Sequence, residues 1–140
     1  MRHLLATAFC TAALLTASLA SAADLTIRID DVRSDDGTVM VALYDSAGSF
    51  LKKPVGGAGG KAVKGSTTVT IKDLPAGHYA YAIYHDANAN GKMDANMMGI
   101  PTEDFAFSNN ALGKMGPPKF GDAMFTLPAA GLSAAVSLKH

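Results

Sequence analysis

In the run His85-Asp86-Ala87-Asn88-Ala89-Asn90-Gly91-Lys92-Met93-Asp94, oxygen-bearing side chains recur at alternate positions. Counted from Asp86, they fall at positions 1, 3, 5 and 9, with glycine at 6, matching the first nine positions of a calcium loop. Alternate residues of a tight loop turn inward, so Asp86, Asn88 and Asn90 can converge on one hard cation. Gly91 permits the sharp bend. Lys92 can offer its backbone carbonyl, and Asp94 can bind directly or through water. Position 12 is Met97, where an EF-hand places a bidentate glutamate, and a strand pattern rather than a helix enters the loop. The motif is therefore not an EF-hand, and the missing carboxylate is expected from Glu103 or Asp104. Two carboxylates and two amides bring little charge, so calcium should bind at about 10⁻⁴–10⁻³ M, the range of extracellular modules. The plainer alternative is a set of Asx-turns. Four oxygens at the right spacing, together with the glycine, favour the metal.

Other chemistries find less support. His78, His85, Met93, Met97, Met98, Met115 and Met124 are ligand types for copper(I), but no Met-x-x-Met or His-x-His repeat makes them converge. Methionine is also a common core filler. A hydrolase-like reading would use His85 with carboxylates between Asp86 and Asp104. Adjacent residues of a strand point to opposite faces, however, so His85 and Asp86 make a poor acid–base pair. Ser108, in Phe107-Ser108-Asn109, lacks the glycines of a nucleophile elbow.

The elements that must hold the loop alternate with a period of two. Leu25, Ile27 and Ile29 form one apolar set, and Val39, Val41 and Leu43 a second. Thr67 to Lys72 is rich in β-branched residues. Tyr79, Tyr81, Ile83 and His85 share one face of the run that feeds the loop. Ala123, Phe125 and Leu127 precede a closing set of Leu132, Ala134, Val136 and Leu138. Asp35-Asp36-Gly37 is expected to turn a hairpin between the first two strands. Leu74-Pro75-Ala76-Gly77 and Pro128 to Gly131 should join the later pairs. Short helical turns are conceivable over Ser46 to Lys53 and Glu103 to Leu112. Pro54 to Gly65 holds five glycines and is expected to be a flexible loop. Ala95 to Gly121 has no clear period, yet Met97, Met98, Ile100, Phe105, Phe107 and Phe120 should pack it onto the domain. These features predict an all-β fold: a single antiparallel β-sandwich of about seven strands, with a long packed loop following the calcium-type loop.

The N-terminus reads as an export signal. Met1-Arg2-His3 is a basic start, Leu4 to Leu19 a nearly uncharged apolar run, and Ala20-Ser21-Ala22 a cleavage site. Cleavage after Ala22 leaves 118 of the 140 residues as one domain, 23–140, with no membrane span, in the periplasm or secreted. It also removes Cys10, the only cysteine, which excludes disulfides, thiol nucleophiles and thiolate metal sites. Without a basic block, the balanced charge argues against nucleic acid as the partner.

Several stretches together resemble one bacterial family. They are Gly37 to Asp45 with Phe50-Leu51, Leu74 to Ala80, His85 to Asp94, Gly99 to Glu103, Phe107 to Asn110 and Pro117 to Ala123. In this order they are similar to the exported proteins grouped as domain of unknown function 2141, across nearly the whole mature chain. The resemblance implies a single exported β-domain and carries no established activity. Leu74-Pro75-Ala76-Gly77-His78-Tyr79 also resembles, locally, prealbumin-like and carboxypeptidase-regulatory-like sandwiches, which bears on fold alone. The expected function is a non-enzymatic binding module. Calcium held by Asp86, Asn88, Asn90, Lys92, Asp94 and Glu103 would order a loop carrying Phe105, Phe107, Ser108 and Asn109. An envelope protein, a polysaccharide or a small ligand would bind that loop.

Overall fold

The computed structural model describes residues 22–98 and 101–140. The expected signal segment, apart from Ala22, lies outside the described residues, as do Cys10 and Ile100. Strands β1 (Ala22–Val32), β4 (Gly65–Pro75) and β8 (Leu132–Ser137) form one sheet in the order β4-β1-β8. Strands β2 (Thr38–Tyr44), β3 (Gly56–Lys61), β5 (Gly77–Asp86) and β6 (Phe105–Phe107) form the other in the order β3-β2-β5-β6, and β7 (Phe125–Leu127) pairs with the start of β5. All pairings are antiparallel except β1 with β8, which is parallel. The fold is an all-β sandwich with eight strands among the described residues.

The alternation fills the space between the sheets. Leu25, Ile27 and Ile29 from β1 meet Val39, Val41 and Leu43 from β2, with Tyr81 and Ile83 from β5 and Val136 from β8 in the same buried cluster. Each fully buried Leu or Ile contributes about 1.5–3 kcal/mol of transfer free energy. Strand β5 is buried on both faces. Its outer face carries Ala80 and Ala82, which are small enough for a second cluster of Tyr44, Phe50, Phe107 and Ala123 to sit over them. Phe50 is placed there by a turn in which its N–H bonds to Ser46 O at 3.0 Å, so a helical turn does form within Ser46 to Lys53. Its ring meets Tyr44 and Phe120 edge-on, with centroids 5.4 and 5.8 Å away.

Three expectations about connections are corrected. The turns at Asp35-Gly37, Leu74-Gly77 and Pro128-Gly131 do not close hairpins; each carries the chain from one sheet to the other. Alternation records which face of a strand is buried, and says nothing about which strand lies alongside. At the second turn the Tyr79 hydroxyl donates to Pro75 O at 2.6 Å and fixes the corner. Within the glycine-rich Pro54–Gly65 segment, Gly56–Lys61 is not loop but strand β3, pressed against β2. A Cβ on Gly57 would lie 2.6 Å from Val41 O, and one on Gly59 would lie 2.8 Å from the Met40 sulfur. Of the long connection's apolar residues, Phe105, Phe107 and Phe120 pack inward as expected, while Met97, Met98 and Met115 are fully exposed. Its Glu103–Leu112 part is a short strand followed by a 3-10 turn (Ser108–Asn110), and a single helical turn α1 (Phe120–Ala123) follows.

The strand registers gather one set of ends at a single pole. Thr38 of β2 opposes Asp86 of β5, Tyr84 opposes Phe105 of β6, and Phe105 bridges to Lys139 beyond β8. Arg33, just past β1, reaches Asp104 at the same pole. The loop that follows Asp86 leaves from there.

Candidate metal centre

Asp86 ends β5 and is buried, with both carboxylate oxygens turned back under the loop that follows it. Oδ1 accepts the Asn90 N–H at 3.1 Å and Oδ2 accepts the Gly91 N–H at 2.8 Å. The amide oxygens continue the pattern: Asn88 Oδ1 accepts the Asn90 N–H at 3.3 Å, and Asn90 Oδ1 accepts the Lys92 N–H at 3.1 Å. These are Asx-turns. The same side chains also converge on Asp94, because Asn90 Nδ2 donates to its Oδ1 at 2.7 Å and Asn88 Nδ2 donates to its Oδ2. Four of the sequence-predicted ligands, Asp86, Asn88, Asn90 and Asp94, therefore share one hydrogen-bonded ring. Lys92 contributes its N–H to the ring. The left-handed backbone at Ala89 and Gly91 (φ 53° and 78°) supplies the curvature.

Glu103 adds the fifth. The segment between Asp94 and Glu103 folds back on itself, with Thr102 N–H donating to Asp94 O at 2.9 Å and Ala95 bridging to Pro101. Both Glu103 carboxylate oxygens are shielded from solvent and make no well-formed hydrogen bond among the described residues, although the backbone N–H of Asp94 lies near enough to ease their charge. Burial pushes this carboxyl up to about 7, and the neighbouring Asp94 and Asp86 charges push the same way. Asp94 is held below the usual carboxylate range, first by the proton Glu103 can share with it and then by the Asn90 and Asn88 amides. Two carboxylates in contact are both acceptors, so the pair needs either a proton or a cation between them.

Among the described residues no three acidic or histidine side chains already stand around one point. In this arrangement the amide nitrogens, not the oxygens, face Asp94. An ion would replace those two N–H contacts and recruit the second lone pair of each amide oxygen. The available donors are all oxygen, the set a hard cation takes and a soft one does not. The copper ligand types are dispersed: His78 and His85 lie at opposite ends of β5, about 23 Å apart at about 3.3 Å per residue.

Asp104, the alternative carboxylate, faces elsewhere. It is buried, with Arg33 Nε donating to Oδ2 at 2.7 Å, a second guanidinium contact to Oδ1, and His140 Nδ1 3.1 Å from Oδ2. Burial opposes its charge, but Arg33 and His140 outweigh that and hold it below the usual range. Sequence reasoning missed this cluster, because Arg33 and Asp104 are 71 positions apart and no local pattern links them. A cavity of about 260 Å³ lies between, bordered by Arg33, His85, Thr102, Glu103 and Asp104. His85 is buried, and its Nε2–H donates to Asp36 O at 2.6 Å.

The expected ligand loop is spent largely on internal bonds. Phe107 is in the outer cluster and Phe105 packs beside it. The Ser108 hydroxyl donates to Ala123 O and accepts the Tyr81 N–H at 3.0 Å. Asn109 Nδ2 donates to Asp122 O and Met124 O, the latter at 2.9 Å.

Residues 27–134 match a family described as an uncharacterised protein conserved in bacteria, domain of unknown function 2141. No curated protein and no solved structure matches the chain.

Proposed function

The chain belongs to this bacterial family of uncharacterised proteins, and we propose that it is an exported, non-enzymatic binding module whose Asp86–Asp94 loop holds calcium. The reading is carried by Glu103, whose two occluded oxygens make no well-formed hydrogen bond among the described residues. A divalent cation there would relieve the repulsion that lifts Glu103. Asp86, Asn88, Asn90, the Lys92 carbonyl, Asp94 and Glu103 would be its ligands. The ion would tie the end of β5 to the residues leading into β6. It would thereby order the face on which an envelope protein, a polysaccharide or a small ligand binds.

At ~1 mM calcium and a Kd of ~10⁻⁴ M, binding stabilises the fold by about 1.4 kcal/mol. Calorimetric titration of chelator-treated protein, with melting curves and protease digestion of the loop, tests this. Calcium should raise the Tm and protect residues 87–103, and Glu103→Gln should weaken binding about tenfold or more. If calcium moved neither the Tm nor the digestion pattern, the reading would be lost.

The cavity bordered by Glu103 favours a second reading, in which that carboxyl, lifted to about 7, exchanges a proton with a bound substrate. Hydrolysis of an ester or glycoside panel that Glu103→Gln abolishes would support it. Equal turnover by the wild type and the variant would exclude it.

A further inference from the structure

Asn90 is exposed and is followed by Gly91, also exposed, at φ +78° and with open space where a Cβ would stand. The other four asparagines precede residues that carry a Cβ: Ala89, Met97, Asn110 and Ala111. A backbone nitrogen attacks the preceding side-chain amide most readily when its own residue has no side chain to obstruct the approach. We propose that Asn90–Gly91 is a spontaneous deamidation site that the loop itself restrains. The Gly91 nitrogen gives up its proton and bonds to Asn90 Cγ. The Cγ–Nδ2 bond breaks, and the departing amine takes up a proton and leaves as ammonia. Water then opens the five-membered imide at either carbonyl, giving aspartate or isoaspartate. One water is consumed and one ammonia released, with no change of oxidation state.

Three hydrogen bonds oppose the first step. The Gly91 N–H is donated to Asp86 Oδ2 at 2.8 Å, which holds the nucleophile under the loop. The Asn90 amide is fixed by Asp94 on its nitrogen side at 2.7 Å and by the Lys92 N–H on its oxygen side at 3.1 Å. Conversion is therefore slow while the ring of bonds is closed and fast when it opens. The product differs in kind from the starting loop. Where Asn90 Nδ2 donates to Asp94, a carboxylate would accept, and attraction becomes repulsion. An aspartate at position 90 turns a loop closed by amides into one that needs a cation to close, a consequence that rests on the calcium reading.

The full-length protein, its Asp86→Ala and Gly91→Ala variants, and the wild type unfolded in urea are aged in warm, mildly alkaline buffer with chelator. Loop peptides are then followed by mass spectrometry. Asn90 should be the asparagine that first becomes an acid. The unfolded chain and Asp86→Ala should convert several-fold faster than the native wild type, and Gly91→Ala should convert several-fold more slowly. No conversion at Asn90 in the unfolded chain, or equal rates for the native and unfolded protein, would overturn the proposal. Asn90→Asp should carry a stricter calcium requirement: in chelator its loop should be digested several-fold faster than that of the chelated wild type, and calcium should close the gap. Conversion without that requirement would leave deamidation standing and remove the calcium reading.

Discussion

Glu103 and Asp104 are chain neighbours whose surroundings drive them in opposite directions, and pH separates them. Glu103 is raised from 4.5 to about 7 by burial and by the Asp94 and Asp86 charges. A raised carboxyl stabilises the fold fully below its ordinary value, and that contribution is lost as pH rises through about 7. Asp104 is lowered by Arg33 and His140 against the cost of burial. Its contribution is present above the ordinary value of 3.8 and is lost as pH falls below it. Without calcium, the Tm should therefore fall on both sides of a maximum near mildly acidic pH. Glu103→Gln should flatten the neutral limb, Arg33→Gln should flatten the acid limb, and calcium should restore the neutral one. Melting curves across pH check this. The ring residues were legible because their spacing is local. Glu103 was legible only as one of two nearby acids, and its contact with Asp94 depends on a fold-back with no periodic signature. Arg33 and His140 were not legible at all, since only the sandwich brings the end of β1 and the residues after β8 to one carboxylate.

Strands long enough to show alternating side chains announced themselves, while β3 and the three-residue β6 did not. Glycine erases the alternation, so a backbone pressed against β2 reads as a loop. Gly56 and Gly57 are neighbours in that strand with different surroundings. A Cβ on Gly57 would lie 2.6 Å from Val41 O, while one on Gly56 meets nothing within 4 Å. Gly57→Ala should cost about 1–3 kcal/mol, and Gly56→Ala should be neutral or stabilise by about 0.5 kcal/mol through the unfolded chain. Urea unfolding of the two variants separates them. Ser108 presents the opposite case, a residue flagged for binding that the fold uses as a clamp between the 3-10 turn, β5 and α1. Ser108→Ala leaves the Tyr81 N–H and Ala123 O without their partner and should cost about 1–3 kcal/mol, read as a lower urea midpoint with an unchanged slope.

On the scale of the whole molecule, alternation and turn chemistry predicted an all-β sandwich, while the pairing of strands needed the third dimension. The final residues show how pairing closes the structure. Leu138 is in the core, Lys139 exchanges two backbone bonds with Phe105, and His140 meets Asp104. These three residues join the β1-containing sheet to β6 of the other. Deleting Leu138 to His140 should cost about 2–5 kcal/mol and make the loop after β5 more sensitive to protease, which thermal melts and limited digestion measure.

The parallel register of β1 and β8 also sets the direction in which the molecule faces. Strand β1 has eleven residues, about 36 Å at about 3.3 Å each. Its first residue, Ala22, lies at the pole away from Asp86, while His140 meets Asp104 at the loop's own pole. A tether attached at the start of β1 would present the loop outward to the medium, free to meet ions and partners. A tether attached after His140 would press the loop against whatever surface holds it. On a sensor chip or a bead, the N-terminus is therefore the handle for measuring binding at this pole.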